Sequence, residues 1–198
     1  MIKNIIFDIG NVILKFDRDF LLSNFYRGID YELVKEVLFR DWEKLDEDLL
    51  TLNEYKENVL KELPKHLHAP AIGILDNWEY FMTYTKGIIP LIFELKQKGY
   101  KLYILSNMTR HFIERDYKFP ILSEFDGIVY SALIKMVKPN DEIYEYVLKK
   151  FDLNPTECLF IDDTKKNLTA AARFGIHTFH FQDNAEELRN KIFNLSNP

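Results

Sequence analysis

Asp8, Ser106, Asn107, Lys138, Asp162 and Asp163 are the side chains whose types and positions could do chemistry together. The run Ile5-Ile6-Phe7 closes on Asp8, Leu102-Tyr103-Ile104-Leu105 closes on Ser106-Asn107, and Leu159-Phe160-Ile161 closes on Asp162-Asp163. Lys138 follows a further run, Ile128-Val129-Tyr130. Short apolar runs ended by turn residues read as buried parallel strands. An open parallel sheet binds its ligands beyond the carboxyl ends of its strands. Asp8 and Asp162 are far apart in the chain, yet adjacent strands would bring them together. Carboxylates converging in one cleft repel unless a cation stands between them. Oxygen donors suit a hard divalent ion, Mg²⁺ above all. A lysine and a hydroxyl beside it suit a bound phosphate.

The elements that must position these groups alternate from residue 87 onward. A helix opens at Pro90 with the stripe Leu91, Ile92 and Leu95 and ends at Gly99, where a C-terminal cap fits. After the second and third runs, Asp141 and Glu142 open a helix with Lys149 and Lys150 in its last turn, as the helix dipole favours. Tyr144, Leu148 and Phe151 form its expected stripe. A short helix with Leu168, Ala171 and Ala172 runs to Gly175, and Ile176 to Phe181 alternates as an edge strand, with His177, Phe179 and Phe181 on one side. Strand and helix in alternation predict an α/β, Rossmann-like parallel sheet with helices on both faces. From Phe16 to about Thr85 charges are dense and apolar residues fall at helical spacing, which predicts some four helices and no strand. That stretch follows the first strand, so it is an inserted all-helical unit. The expected division is residues 1–15 and 87–198 for the α/β core and 16–86 for the insertion. The acidic segment Glu43 to Asp48 reads as a solvated helix face.

Composition sets limits on function. A chain of 198 residues holds one domain, or one domain with a modest insertion. Its 47% hydrophobic content is too high for disorder. A net charge of -5 lacks the basic excess of a general nucleic-acid binder. No apolar run approaches the ~18 residues of a membrane span, and the apolar N-terminus, broken by Asp8, has no cleavage pattern of a signal peptide. Cys158 is the only cysteine, so no intrachain disulfide forms, and a reducing, cytoplasmic location is expected. In a buried strand pattern it reads as an inert core thiol.

Four motifs carry a family likeness: Phe7-Asp8-Ile9-Gly10-Asn11-Val12; Leu105-Ser106-Asn107; Lys138-Pro139 followed by Ile143-Tyr144; and Phe160-Ile161-Asp162-Asp163 with Asn167, Ala171, Ala172, Gly175 and Ile176. In this order the chain resembles the haloacid dehalogenase-like (HAD-like) hydrolases, whose phosphatase members use an aspartate nucleophile. The likeness runs along the whole chain, with the insertion where that family has a helical cap. The first and fourth motifs look most like a subgroup of bacterial sugar-phosphate phosphatases that includes an α-glucose-1-phosphate phosphatase. The resemblance implies a Mg²⁺-dependent phosphatase acting on a small phosphorylated metabolite. Asp8 would attack phosphorus and form an aspartyl-phosphate. Mg²⁺ would be held by Asp8, the backbone carbonyl of Gly10 and Asp163, with Asp162 as ligand or as support for one. Ser106 and the backbone N–H of Asn107 would hold phosphoryl oxygens, and Lys138 would neutralise charge.

Two positions depart from the family pattern. Most family phosphatases place an acid–base Asp two residues after the nucleophile, where this chain has Gly10; Asn11, Asp17 or a residue of the helical insertion would have to substitute. Many relatives have Gly three residues before the motif lysine, where this chain has Lys135, implying an altered turn or a basic group near the entrance. His111 is a candidate substrate contact, and Phe20, Trp42, Trp78 and Phe81 are candidates to line the cleft. The other histidines read as structural or surface groups, and Asn167 as structural or as a support for the metal ligands. Two further readings of the same residues are a metal-free 2-haloacid dehalogenase and a non-catalytic phosphate- or partner-binding protein.

Overall fold

The apolar runs become strands whose two faces are both covered. In a computed structural model, which describes residues 1–196, β1 (Asn4–Phe7) is the centre of a five-stranded sheet with β4 (Lys101–Ser106), β5 (Gly127–Tyr130), β6 (Cys158–Asp162) and β7 (His177–His180). All are parallel, in the order β5-β4-β1-β6-β7. Because alternate strand residues face opposite ways, Ile5, Phe7, Leu102, Ile104, Leu159 and Ile161 enter one apolar cluster with α6 (Ile88–Gln97) and α11 (Ala185–Ser196). Ile6, Tyr103, Leu105 and Phe160 enter a second with α9 (Asp141–Lys150) and α10 (Lys165–Ala172). Phe7 is wholly buried; truncating such a side chain costs ~3–5 kcal/mol.

Between β1 and β4 the chain makes β2 (Leu14–Lys15), α1 (Arg18–Ser23), α2 (Gly28–Phe39), α3 (Glu43–Asp46), α4 (Leu52–Glu62), α5 (His68–Asn77) and β3 (Thr83–Tyr84) before α6. Two short 3₁₀ turns, Lys65–Leu67 and Trp78–Phe81, flank α5. The expectation of about four helices and no strand therefore falls short. There are five α-helices, and β2 pairs antiparallel with β3 at the base of the insertion. Two-residue strands are too short to leave an alternating pattern. Thr51 caps α4 and Glu54 returns the bond to its backbone, a capping box worth ~1 kcal/mol. The first apolar cluster continues through Val12, Ile13 and Leu14 into Leu21, Val34, Trp42, Tyr55 and Trp78.

Other local expectations shift. The helix expected at Pro90 starts at Ile88, with Gly87 at φ 80° before it. The buried face of α9 is Ile143, Tyr144 and Val147; Leu148 and Phe151 are only half-buried. Phe151 lies instead across Gly127, where an added Cβ would come within 2.4 Å of its ring. In α10 the inward alanines are Ala170 and Ala171, and Ala172 is exposed. β7 is the sheet edge, with Phe179 and Phe181 packed inward and His177 exposed. The loops that carry the polar groups after β1, β4 and β6 open at one end of the sheet. Among the described residues no helix is long and apolar enough to cross a membrane.

Candidate active site

Register alone draws the carboxylates together. β1 pairs with β6 so that Phe7 opposes Ile161, and Asp8 N–H donates to the Ile161 carbonyl at 2.9 Å. Asp8 and Asp162 therefore leave neighbouring strands at the same level. β4, on the other flank of β1, ends at Ser106. One oxygen of Asp8, Oδ1, accepts two hydrogen bonds, from Ile9 N–H at 2.8 Å and Ser106 Oγ at 2.6 Å, and is ion-paired with Lys138 Nζ at 2.9 Å. Oδ2 has no protein partner among the described residues. Lys138, 3% exposed, also donates to Asp162 Oδ2 at 2.7 Å, so its ammonium bridges the two carboxylates. Burial works against the lysine's charge, but Asp162 and Asp8 outweigh it and raise its pKa. Burial lifts Asp8 to about 6, with Lys138 holding it down and Asp162 pushing it up.

The loop that brings Lys138 is held by a side chain. Asn107 Oδ1 accepts from the Lys138 backbone N–H at 2.8 Å and its Nδ2 donates to the Lys138 carbonyl at 2.9 Å. The Asn107 amide is therefore a clamp on the lysine loop, a use the sequence did not foretell. Lys135 keeps a left-handed backbone (φ 54°) at the end of α8 (Ser131–Ile134), so the turn expected of a glycine survives with a lysine in it. Such a conformation costs a non-glycine residue ~1–2 kcal/mol. The Lys135 ammonium lies 3.8 Å from Asp48 of the helical insertion.

Asp162 and Asp163 diverge. Asp162 is wholly buried and accepts from Lys138, from Thr164 N–H at 2.7 Å and from Asn167 Nδ2 at 3.1 Å on each oxygen. Asp163 is half-buried and accepts from Asn11 Nδ2 at 3.0 Å and Thr164 Oγ1 at 3.2 Å. Asp8, Asp162 and Asp163 offer carboxylate oxygens within 4.8 Å of one another. Beside them the Asn167 Oδ1 is buried with no donor among the described residues. An all-oxygen donor set with an orphaned acceptor beside it fits a small hydrated cation. With Asp162 already saturated by hydrogen bonds, Asp8 and Asp163 are the carboxylates with capacity to spare.

A cleft lies over this centre in two adjoining lobes, of about 780 Å³ and 510 Å³. Gly10, Asn11, Arg18, Trp42, Asp46 and Asp163 line both. Of the aromatic candidates, Trp42 and Trp78 line the cleft. Phe20 is exposed, and Phe81 packs edge-on against Phe25. His111 is not a cleft residue: its Nε2 lies 3.1 Å from the buried carboxylate of Glu79, and its ring stands beside Trp78. Asp17 caps α1 through Phe20 N–H. Cys158 is buried and burial pushes its thiol up to about 11, consistent with an inert thiol.

Asp46 is the residue that the sequence did not single out. Its neighbours make the Glu43–Asp48 segment look like a solvated face, yet Asp46 is half-buried in the cleft wall. Burial lifts its carboxyl to about 7, against the pull of Arg18 and with a push from Asp8. The available signal was spacing: Asp46 lies one helical turn from the buried Trp42 and so shares its face.

Residues 2–175 match the profile of the haloacid dehalogenase-like hydrolases. A D-ribitol-5-phosphate phosphatase from Bacteroides thetaiotaomicron is 27% identical over 204 residues, covering 94% of this chain and 95% of that protein. A sesquiterpene phosphatase from Aspergillus oryzae is 37% identical over 97 residues, which span 47% of this chain and only about half (48%) of that protein. Among solved structures, a HAD-family enzyme from B. thetaiotaomicron, crystallised with magnesium and inorganic phosphate, superposes with a TM-score of 0.76. It is 25% identical, over 95% of this chain and 99% of that one.

Proposed function

The chain belongs to the haloacid dehalogenase-like hydrolases, and we propose that it is a Mg²⁺-dependent phosphatase of small phosphorylated metabolites, sugar or polyol phosphates foremost. The observation that carries this reading is the hydrogen-bonding of Asp8. One oxygen is fixed by Ile9, Ser106 and Lys138, and the other is left without a protein partner beside Asp163. The phosphatase relative acting on D-ribitol 5-phosphate and the magnesium–phosphate complex of a similar fold support it.

In this reading Asp8 attacks phosphorus. The bond to the leaving oxygen breaks, and an aspartyl-phosphate forms, which water then hydrolyses. Lys138 offsets the charge that Asp8 and the phosphoryl group bring together, and Asp162 holds the lysine in place. The Ser106 hydroxyl, which donates to Asp8, and the Asn107 backbone N–H would hold phosphoryl oxygens. Asp8, the Gly10 carbonyl and Asp163 would hold the metal, with Asp162 orienting the groups around it. When bound, Mg²⁺ supplies positive charge against which one anion can approach another. Residues 16–86 would form a cap over a core of residues 1–15 and 87–198, a division supported by the β2–β3 ribbon at the base of the insertion. The acidic trio weighs against a metal-free dehalogenase. A Mg²⁺-supplemented screen of p-nitrophenyl phosphate, glucose 1-phosphate and ribitol 5-phosphate tests the reading. Phosphate release that ends with EDTA and with Asp8→Asn is expected; metal-independent chloride release from 2-chloropropionate in its place would overturn it.

A further inference from the structure

When an alkyl phosphate is cleaved, the departing oxygen needs a proton, and an acid near neutral pKa supplies it best. The carboxyls around the cleft are mostly committed. Asp17 caps α1, Asp19 is bound to Tyr31 and Lys35, Asp183 pairs with Lys15, and Asp162 and Asp163 are bonded as described. The Asp46 carboxyl has no hydrogen bond or ion pair among the described residues. Glu43 and Glu47 line only the 510 Å³ lobe, whereas Asp46 lines both.

Its place is fixed by the core, not by the insertion alone. The Asp46 carbonyl accepts from Ser131 Oγ at 2.6 Å, and that same hydroxyl accepts from Met108 N–H at 2.9 Å, two residues beyond Ser106. Asp48 pairs with Arg110 at 2.5 Å and with Lys135 at 3.8 Å. The α3 turn is thereby docked on the loop after β4 and on α8, the element that leads to Lys138.

We propose that Asp46, carried in by the helical insertion, protonates the leaving-group oxygen and then takes the proton of the attacking water. The inference rests on the phosphatase reading above. In the first step Asp8 bonds to phosphorus, the pair of the broken P–O bond goes to the leaving oxygen, and the Asp46 proton completes the alcohol. In the second the Asp46 carboxylate takes a proton from water as its oxygen bonds to phosphorus, and the P–O bond to Asp8 breaks, returning its electrons to the Asp8 carboxylate. Asp46 starts again protonated and Asp8 ionised. The charges that act on Asp46 are Arg18 from α1, Asp8 and Lys138 from the centre and Glu43 from its own helix; Arg40, Glu47, Asp163 and Lys166 line the 510 Å³ lobe with it, and Lys15, Asp17, Asp19, Lys35 and Asp183 the 780 Å³ lobe. With burial their balance lifts its pKa to the neutral range.

Asp46→Asn, isosteric and retaining the backbone bond to Ser131, is compared with wild type on p-nitrophenyl phosphate and on glycerol phosphate, with Asp46→Glu as the conservative variant. On glycerol phosphate Asp46→Asn should lose ~10²–10⁴-fold in kcat. On p-nitrophenyl phosphate, whose leaving group needs no proton, it should release one nitrophenolate per enzyme in a burst and then turn over slowly. Asp46→Glu should recover part of the glycerol phosphate rate. Equal losses on both esters without a burst, or no loss on either, would overturn the assignment while leaving the phosphatase reading intact. A wild-type enzyme inactive on both esters and on the metabolite screen would overturn both.

Discussion

Lys138 Nζ donates to Asp162 Oδ2 at 2.7 Å with both side chains sealed from water. A buried pair of this kind is held by mutual need, because either partner left alone is an uncompensated buried charge. Lys138→Met should therefore cost ~3–5 kcal/mol. The sign of its pH dependence follows from Asp8, already raised to about 6 by burial. Without the lysine that pKa rises further, and a carboxyl raised on folding loses stability as pH climbs from its unfolded value through its folded one. Urea denaturation should show a larger deficit at pH 8 than at pH 5; a deficit independent of pH would contradict the electrostatic role of Lys138.

Asp162 and Asp163 should fail differently when changed. Asp162→Asn disturbs bonds to Lys138, Thr164 and Asn167, so it should lower stability by ~1–3 kcal/mol even in EDTA. Asp163→Asn should leave the EDTA melting temperature nearly unchanged and weaken Mg²⁺ binding, read by calorimetry, by about tenfold or more. The reverse pattern would exchange their roles.

The raised pKa of Asp46 has a cost of its own. Its carboxyl titrates near 4 when unfolded and at about 7 when folded, so the penalty is absent below pH 4, grows between, and is complete above pH 7. Asp46→Asn removes it. The variant should be more stable than wild type by ~1–2 kcal/mol at pH 8 and indistinguishable at pH 4, with EDTA present throughout. That range allows for solvent screening of a half-buried charge. Equal stability at both pH values would mean that Asp46 is better solvated than its place in the wall implies.

Gly10 leaves space for an acid of its own. An added Cβ there meets nothing within 4 Å, and the position lines both lobes of the cleft. Gly10→Asp in the Asp46→Asn background should restore at least tenfold of the lost alkyl-phosphate turnover, measured as phosphate released from glycerol phosphate. No gain, with the double variant folded and binding Mg²⁺, would count against proton supply as the missing element.

The frame of the molecule was legible because its signals are local. Ile5-Ile6-Phe7 and Leu159-Phe160-Ile161 are apolar enough to be strands, and the residues that end them stand at the ligand-binding end of a parallel sheet whatever the rest of the chain does. The α9 stripe was legible in part: Tyr144 is buried and Leu148 and Phe151 pack at the margin of the same apolar cluster, but Ile143 and Val147, which are as apolar, hold its centre, and only the packing against the sheet ranks them. Asp46 was hidden for a related reason. An acidic helix face looks solvated until tertiary structure lays it on the core, and the contacts that do so, Ser131 to Asp46 and Arg110 to Asp48, join segments far apart in the chain. The amide clamp of Asn107 on Lys138 was illegible likewise, since it spans two loops that only the sheet order brings together.

The most direct measurement is peptide mapping by mass spectrometry after wild-type enzyme, turning over p-nitrophenyl phosphate with Mg²⁺, is quenched in acid within milliseconds. One phosphoryl group on the peptide carrying Asp8, absent from Asp8→Asn, is the expected result. Rapid turnover with no phosphoryl group on Asp8 at any quench time, or turnover surviving Asp8→Asn, would contradict it.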